Sequence, residues 1–302
     1  MRLPSPLSFA LLAVSLLGFG CDRLGELTER FKGSASSADG IELELRAIAE
    51  LRDSGGCAQA LPRIDALIAS SPDVPETHYF RGLCLLDEAA SEDVGEELSP
   101  TEEAAFGAFA QAIALNPRHA LANVGVGDLH GRHVTSRAHE DGGEDAVDSF
   151  SIALHAYRRA VTIDPTLAEA QLHYGRFLAR TGSIEAAEVA YQEAVAAAAT
   201  VPEIAPDYYL AYGQFLAGPA ERLDDAQDQF ELARMFRQDD PAIQQELAMI
   251  QARIGLAHYK RQEFLLAQTI LQEAVPMFPD SSIPEAQEAQ EALDRLNSMR
   301  RR

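Results

Sequence analysis

The chain has 302 residues, and its 47 acidic residues outnumber its 25 basic ones, which gives a formal net charge of −22 at pH 7. The only lysines are Lys32 and Lys260, so the sequence lacks the basic surface that a phosphate backbone requires and argues against nucleic acid as a partner. The acidity favours solubility and basic partners. Good helix formers dominate, without alternating runs of β-branched residues, and this composition predicts an all-α fold.

The first twenty residues have the anatomy of an export signal. Arg2 precedes an apolar run over residues 7–19, and small residues stand at Gly18 and Gly20. The run is shorter than the ~20 residues of an ordinary membrane-spanning helix. We therefore expect residues 1–20 to be a signal peptide that is removed on export.

Cys21 follows this segment directly. Residues 16–21, Leu-Leu-Gly-Phe-Gly-Cys, resemble the lipobox of bacterial lipoproteins, although Gly18 stands where that family prefers leucine. The resemblance implies that Cys21 is lipidated and begins the mature protein, with plain secretion as the alternative. Several acyl chains on one residue would give stable membrane anchoring. The small and polar residues that follow predict a flexible tether, so that residues 21–40 form the lipidated cysteine and its linker.

One pattern occurs six times in the rest of the chain: an alanine, a large apolar residue four positions later, and a third apolar residue three positions after that. The six instances are Ala60, Ile64, Leu67; Ala105, Phe109, Ala112; Ala153, Tyr157, Ala160; Ala187, Tyr191, Ala194; Ala226, Phe230, Ala233; and Ala267, Leu271, Ala274. Four are followed by a helix-ending proline five residues on, namely Pro72, Pro117, Pro165 and Pro279. Five are preceded by an apolar segment with a glycine that allows close helix approach, namely Gly82, Gly127, Gly175, Gly213 and Gly255.

This arrangement resembles the tetratricopeptide repeat, in which a glycine-bearing helix A pairs with a helix B that carries the small-large-small stripe. The resemblance covers residues 41–281 and implies an all-α solenoid of about six helical hairpins, with residues 282–302 as a C-terminal capping helix. The intervals between successive first alanines exceed the family's 34-residue period by 11, 14, 0, 5 and 7 residues. The two largest excesses predict insertions near residues 91–101 and 131–144, and the last predicts a lengthened helix over residues 242–260.

The sequence contains no Gly-rich phosphate loop, nucleophile elbow, paired-histidine metalloprotease helix or pair of Cys-x-x-Cys motifs, which predicts a protein without enzymatic activity or cofactor. One candidate metal-binding cluster lies in and beside the second insertion, and consists of His130, His133, His139, Glu140, Asp141, Glu144 and Asp145. Because glycines interrupt it, we interpret this segment as a solvated polar loop and predict no metal site.

Cys57 and Cys84 are the thiols that remain after Cys21. An oxidising compartment favours a disulfide between them, since they fall on the adjacent helices of repeats one and two. Unless the loop at Cys57 folds back, however, helical rise offsets the two residues by on the order of 10 Å along the helix axes, which exceeds disulfide reach. The sequence leaves both outcomes open, a disulfide and two buried thiols.

In the tetratricopeptide family the A helices line a concave groove that binds the partner. Carried over by register from each glycine, the groove positions are Tyr79, Leu83 and Leu86 in repeat two; Val124, Asp128 and Arg132 in repeat three; Leu172, Arg176 and Arg180 in repeat four; Asp207, Leu210 and Gln214 in repeat five; and Leu256, Tyr259 and Lys260 in repeat six. This mixture of apolar and charged residues resembles a groove for an extended peptide or a helix. The Asn and Lys set of a carboxylate clamp is not evident.

The sequence therefore predicts a non-enzymatic scaffold that binds a protein or peptide, anchored by lipid in the cell membrane or outer membrane and facing the periplasm. Residues 174–178 and 212–216, Tyr-Gly-Arg-Phe-Leu and Tyr-Gly-Gln-Phe-Leu, resemble the helix A motif of the type IV pilus pilotins, which implies secretin assembly as one alternative. An adaptor of envelope enzymes is another. The third is a metal or ligand module built on the histidine-bearing insertion.

Overall fold

The computed structural model of the protein describes residues 38–92, 94–95, 97–134, 144–218, 221–278, 280 and 282–300. Thirteen α-helices follow one another in these residues, which contain no strand. They are α1 Ala38–Asp53, α2 Cys57–Ser70, α3 Pro75–Ala89, α4 Pro100–Leu115, α5 Ala120–Arg132, α6 Glu144–Ile163, α7 Ala168–Arg180, α8 Ile184–Ala198, α9 Ala205–Ala217, α10 Leu223–Phe236, α11 Pro241–Lys260, α12 Phe264–Ala274 and α13 Pro284–Arg300. The signal peptide, Cys21 and nearly all of the tether lie outside the described residues.

The first twelve helices pair into six hairpins, with odd-numbered A helices and even-numbered B helices packed in sequence. The predicted architecture, an all-α solenoid of six hairpins followed by a capping helix, is confirmed. α11 spans 20 residues where α7 and α9 span 13, so the lengthened helix of repeat six is confirmed as well. The first predicted insertion forms the connection between α3 and α4, while most of the second lies outside the described residues.

Local signals start and stop these helices. The Ser99 hydroxyl accepts a hydrogen bond from the Glu102 amide, and the Glu102 carboxylate accepts one from the Ser99 amide, which closes a capping box at the start of α4. Pro72, Pro117 and Pro165 each stand two residues beyond the end of a B helix, where a ring without an N–H cannot continue the helix. The fourth predicted stop, Pro279, lies outside the described residues.

The core of hairpins two to six is a large B-helix side chain packed against the glycine of helix A. The pairs are Gly82 with Phe109, Gly127 with Tyr157, Gly175 with Tyr191, Gly213 with Phe230 and Gly255 with Leu271. A Cβ placed on Gly82 would lie 2.5 Å from the Phe109 ring, so only glycine allows this approach. Gly125, which the repeat pattern did not single out, contacts the same ring from the next A helix. Each buried aromatic contributes about 1.5–3 kcal/mol.

The A helices form the inner layer of the solenoid. Each A helix packs against the next one, from α1 on α3 through to α9 on α11, whereas successive B helices do not pack against each other to this extent in the described part. Every B helix also packs against the A helix that follows it. Because closely spaced helices lie on the inside of a curved stack, the A helices line its concave face.

The two ends of the solenoid are closed differently. At the C-terminal end, Ala289, Leu293 and Leu296 of α13 are buried against α11 and α12. At the N-terminal end, Cys57 of α2 and Cys84 of α3 form a disulfide with their Cα atoms 5.2 Å apart. Of the two outcomes that the sequence left open, the structure has the disulfide, and the two Cα atoms are closer than the axial offset of on the order of 10 Å that helical rise suggested.

Within the ranges that the structure describes, no helix has both the length and the apolar character needed to cross a membrane.

Candidate binding groove

Four of the apolar residues predicted for the groove are buried. Tyr79, Val124, Leu172 and Leu256 are all at most 8% exposed. Val124 packs with Tyr157 and other core residues of repeats three and four, and Leu172 packs in the core of repeats four and five. At these four positions the side chains therefore pack within the helical layers and offer a partner little surface.

Asp128 occupies the centre of the groove and joins three helices. Its Oδ1 accepts a hydrogen bond from the Tyr157 hydroxyl at 2.6 Å and lies 2.9 Å from Nδ1 of His173. Burial alone would lower the pKa of His173, but the hydrogen bond to the Asp128 carboxylate and its negative charge outweigh burial and raise it. Burial and the same carboxylate raise the pKa of Tyr157. His173 was not among the predicted groove residues.

Arg132 and Arg180, predicted as partner contacts, instead fasten one A helix to the next. Nη2 of Arg132 donates to the carbonyl oxygen of Ala89 at 2.7 Å, and Nη2 of Arg180 donates to that of Gly131 at 2.6 Å. Both acceptors are carbonyls at the C-terminal end of the preceding A helix, where the helix offers unpaired oxygens and partial negative charge. A guanidinium group that reaches such a helix end can donate a hydrogen bond to it. The repeat motif does not specify which arginine does so.

Two charged side chains on α7, Glu169 and Arg176, take part in no ion pair within the described residues. Arg176 is exposed, and Tyr208 is half-buried one repeat further on. Burial raises the pKa values of Tyr79 and Tyr208, and the negative charge of Glu169 raises both further. Glu169 thus lies within electrostatic range of two groove tyrosines on different A helices. Neither Glu169 nor Tyr208 was among the predicted groove residues.

The C-terminal part of the groove is more heavily paired. Asp207 accepts two hydrogen bonds from the Arg237 guanidinium, at 2.6 and 2.9 Å, and Gln214 donates to Glu246 at 2.9 Å. Lys260 is exposed. The remaining predicted positions, which are half-buried, are Leu83, Leu86, Leu210 and Tyr259.

Two histidines of the candidate metal-binding cluster, His130 and His133, contact different neighbours. His133 contacts Glu102 through Nε2 at 3.1 Å, and Arg132 lies 3.4 Å from the same carboxylate. The His130 ring makes a T-shaped contact with Phe106, and neither of its ring nitrogens has a hydrogen-bond partner within the part of the chain that the structure describes. Burial lowers the pKa of His130, and so does the charge of His133.

No group of three or more potential metal ligands occurs among the residues that the structure describes. Glu144 and Asp145 begin α6. The other members of the cluster, His139, Glu140 and Asp141, lie outside the described residues.

Sequence and structure comparisons point in one direction. A family model for the tetratricopeptide repeat matches residues 45–93 and 144–202. No curated protein matches the chain. Among solved structures, the thermophilic protein TTC0263 of Thermus thermophilus is similar with a TM-score of 0.56 and 20% identity, over 69% of this chain and 97% of its own.

Two further structures have the same fold. PilW, a widely conserved type IV pilus biogenesis factor, is similar with a TM-score of 0.54 and 17% identity, over 82% of this chain and 97% of its own. The human IFIT1 dimer with PPP-AAAA is similar with a TM-score of 0.60 and 17% identity, over 84% of this chain and 54% of its own. At these identities the likeness is one of fold.

Proposed function

We propose that this tetratricopeptide-repeat solenoid is a non-enzymatic scaffold that holds a peptide or helix of a protein partner in its concave groove. The observation that carries the proposal is the set of groove side chains that the fold leaves without ion pairs. Glu169 and Arg176 lie on the inner layer and take part in no ion pair of the described residues, and Tyr208 is half-buried on the next A helix, whereas Arg132 and Arg180 each donate to a carbonyl oxygen of the preceding A helix. Charged and aromatic groups on a rigid helical stack are suited to recognising an extended or helical segment.

Photo-crosslinking tests this proposal in cells. A photoreactive phenylalanine analogue replaces Tyr208 in the groove, and the same analogue replaces Phe106, an exposed aromatic on the B helix α4, as the matched control. We expect a discrete protein adduct at position 208 that is lost when Arg176→Glu is added. Equal adducts at positions 208 and 106, or adducts unaffected by Arg176→Glu, would show that the groove is not the binding surface.

We also propose that Cys21 carries a lipid that anchors the protein to the cell membrane or outer membrane, facing the periplasm. The support is the lipobox-like sequence at residues 16–21 and the polar linker that separates it from α1. Cys21→Ser should move the protein from the membrane fraction to the soluble fraction. Unchanged membrane fractionation of this variant would count against lipidation.

Assembly of a type IV pilus secretin is a more specific candidate function. The fold likeness to PilW and the resemblance of residues 174–178 and 212–216 to the pilotin helix A motif favour it. Mass spectrometry of the adduct at position 208 distinguishes the candidates: a secretin subunit supports pilus assembly, and a peptidoglycan hydrolase or other envelope enzyme supports an adaptor role instead.

A further inference from the structure

A cluster of basic side chains lies outside the groove, between the α4–α5 connection and the last turns of α6. Arg118, His155, Arg158, Arg159, Thr162 and Ile163 line an open cleft of about 640 Å³. The chain as a whole has a net charge of −22, so three arginines and a histidine around one cleft form a local exception. The cluster is not apparent in the sequence, because Arg118 is separated from the other residues by about one repeat.

The arginines of this cleft are not neutralised by acids. None of the three forms an ion pair within the described residues, in contrast to arginines such as Arg81 and Arg222. Asp164, the acidic residue that follows α6, instead accepts hydrogen bonds from the amide and hydroxyl of Thr166 at 3.0 and 2.8 Å. The positive charge of the cleft is therefore available to a ligand.

Two of the guanidinium groups are partly held in place. Nη2 of Arg159 donates to the carbonyl oxygen of Pro117 at 3.2 Å, and Nε of Arg158 donates to the Tyr174 hydroxyl at 3.4 Å. Each contact uses one donor, and the other N–H groups of that guanidinium have no hydrogen-bond partner among the described residues. Side chains that are already oriented lose less entropy when a ligand binds.

We propose that this cleft binds a phosphate group. Several guanidinium groups with free donors match the geometry and charge of phosphate oxygens, which accept paired hydrogen bonds from arginine. Three arginines are too few to bind the extended backbone of a nucleic acid on a chain this acidic. The negative charge of the protein would repel every phosphate that lies beyond the cleft. A single phosphate, either free or in a lipid headgroup, matches the charge of the cleft.

The topology favours a headgroup as the source of the phosphate. The A helices begin, and the B helices end, at the same edge of the solenoid. Arg118 precedes α5, and Arg158 and Arg159 lie near the end of α6, so the cleft is at this edge. The first helix, α1, also begins at this edge, and the chain before it leads back to Cys21. This step rests on the proposed lipid anchor, whereas phosphate binding itself does not.

Titration calorimetry of the full chain in a neutral detergent tests the proposal. The probes are inorganic phosphate and dihexanoyl phosphatidylglycerol, a soluble lipid with an anionic phosphodiester headgroup. The test variant combines Arg118→Gln with Arg159→Gln, and the control combines Arg253→Gln with Arg261→Gln, which removes the same charge from exposed arginines elsewhere. Circular dichroism and the thermal midpoint verify that both variants are folded.

We expect binding of at least one probe to weaken about tenfold or more in the test variant, the size of a lost hydrogen bond to a charged group, and to be unchanged in the control. Binding of the lipid alone identifies a headgroup site, and binding of phosphate alone identifies a free-anion site. Absence of binding by both probes, or equal weakening in both variants, would overturn the proposal. So would tighter binding of a single-stranded oligonucleotide through the same arginines, which would indicate a nucleic-acid surface.

Discussion

Asp128 shows how single residues connect neighbouring repeats. Its carboxylate holds Tyr157 of its own repeat and His173 of the next. Because the pKa of His173 is raised in the folded protein, the contact stabilises the fold fully at pH values below the unfolded pKa of about 6.5 and progressively less as the pH rises through the folded pKa.

We therefore predict a pH-dependent effect of His173→Gln. The variant should lose on the order of 1 kcal/mol of unfolding free energy relative to the parent at pH 5.5, as for a charge-assisted hydrogen bond, and less at pH 8. Urea unfolding at both pH values measures it. His155→Gln, at an exposed histidine without a hydrogen bond in the described part, is the control. An effect of His173→Gln that does not change with pH would show that its charge plays no part.

Sequence reasoning could not predict the pair formed by Asp128 and His173. The two residues are 45 positions apart, and they occupy different places relative to their glycines, one after Gly127 and two before Gly175. Because the two positions are not equivalent, the contact does not recur in the other repeats, and the periodic pattern does not predict it. The hydrogen bonds from Arg132 and Arg180 to helix ends were not predicted for a similar reason. They depend on the residue at which the preceding A helix ends.

At the scale of helices, the Phe109 ring is enclosed by glycines of two successive A helices. Gly82 and Gly125 each leave space that a Cβ would fill to within 2.5 Å of the ring, and Phe109 is fully buried. The ring therefore has no free direction in which to move away from an added methyl group.

Gly82→Ala should consequently lower the unfolding free energy by about 1–3 kcal/mol through overpacking. Gly107→Ala is a matched control on α4, because Gly107 is exposed and an added Cβ meets no atom within 4 Å. There the higher helix propensity of alanine should raise stability by up to about 1 kcal/mol. Thermal midpoints measure both variants. Effects of the same sign at the two positions would contradict this account of the glycine.

Most of the helical architecture was predictable because its causes are local or periodic. The stripe of Ala105, Phe109 and Ala112 and its equivalents specify both a helix and its buried face, and prolines mark three of the ends. The basic cleft was not predictable, since it combines Arg118 of one connection with the outer face of α6. Such surfaces depend on how hairpins stack, and local sequence does not determine that.

At the scale of the whole molecule, the ends are the weakest parts of a solenoid, because a terminal repeat has one neighbour where an internal repeat has two. The capping helix α13 covers the apolar face of repeat six. At the other end no helix precedes α1 in the described part, and the disulfide between Cys57 and Cys84 fastens the first hairpin to the second.

We predict that replacing both cysteines, Cys57→Ser with Cys84→Ser, loosens this end alone. A cross-link with a sequence separation of 27 residues stabilises by about 3.5 kcal/mol in the chain-entropy description. Hydrogen exchange should accelerate in α1 and α2 and stay unchanged in α7 to α10. Uniform acceleration along the chain would mean that the solenoid unfolds as one unit, and no change would mean that packing alone holds the first hairpin.

The arginine contacts between A helices also have a mechanical consequence. Arg132 and Arg180 tie α5 to α3 and α7 to α5, but the equivalent positions five residues after the glycine are Gly218 in α9's repeat and the exposed Lys260 in α11. The step from α7 to α9 has no such hydrogen bond within the described residues, whereas Gln214 joins α9 to α11 through Glu246. A partner that tightens or opens the groove would therefore do the least elastic work at the step from α7 to α9, and bending of the solenoid should be concentrated there.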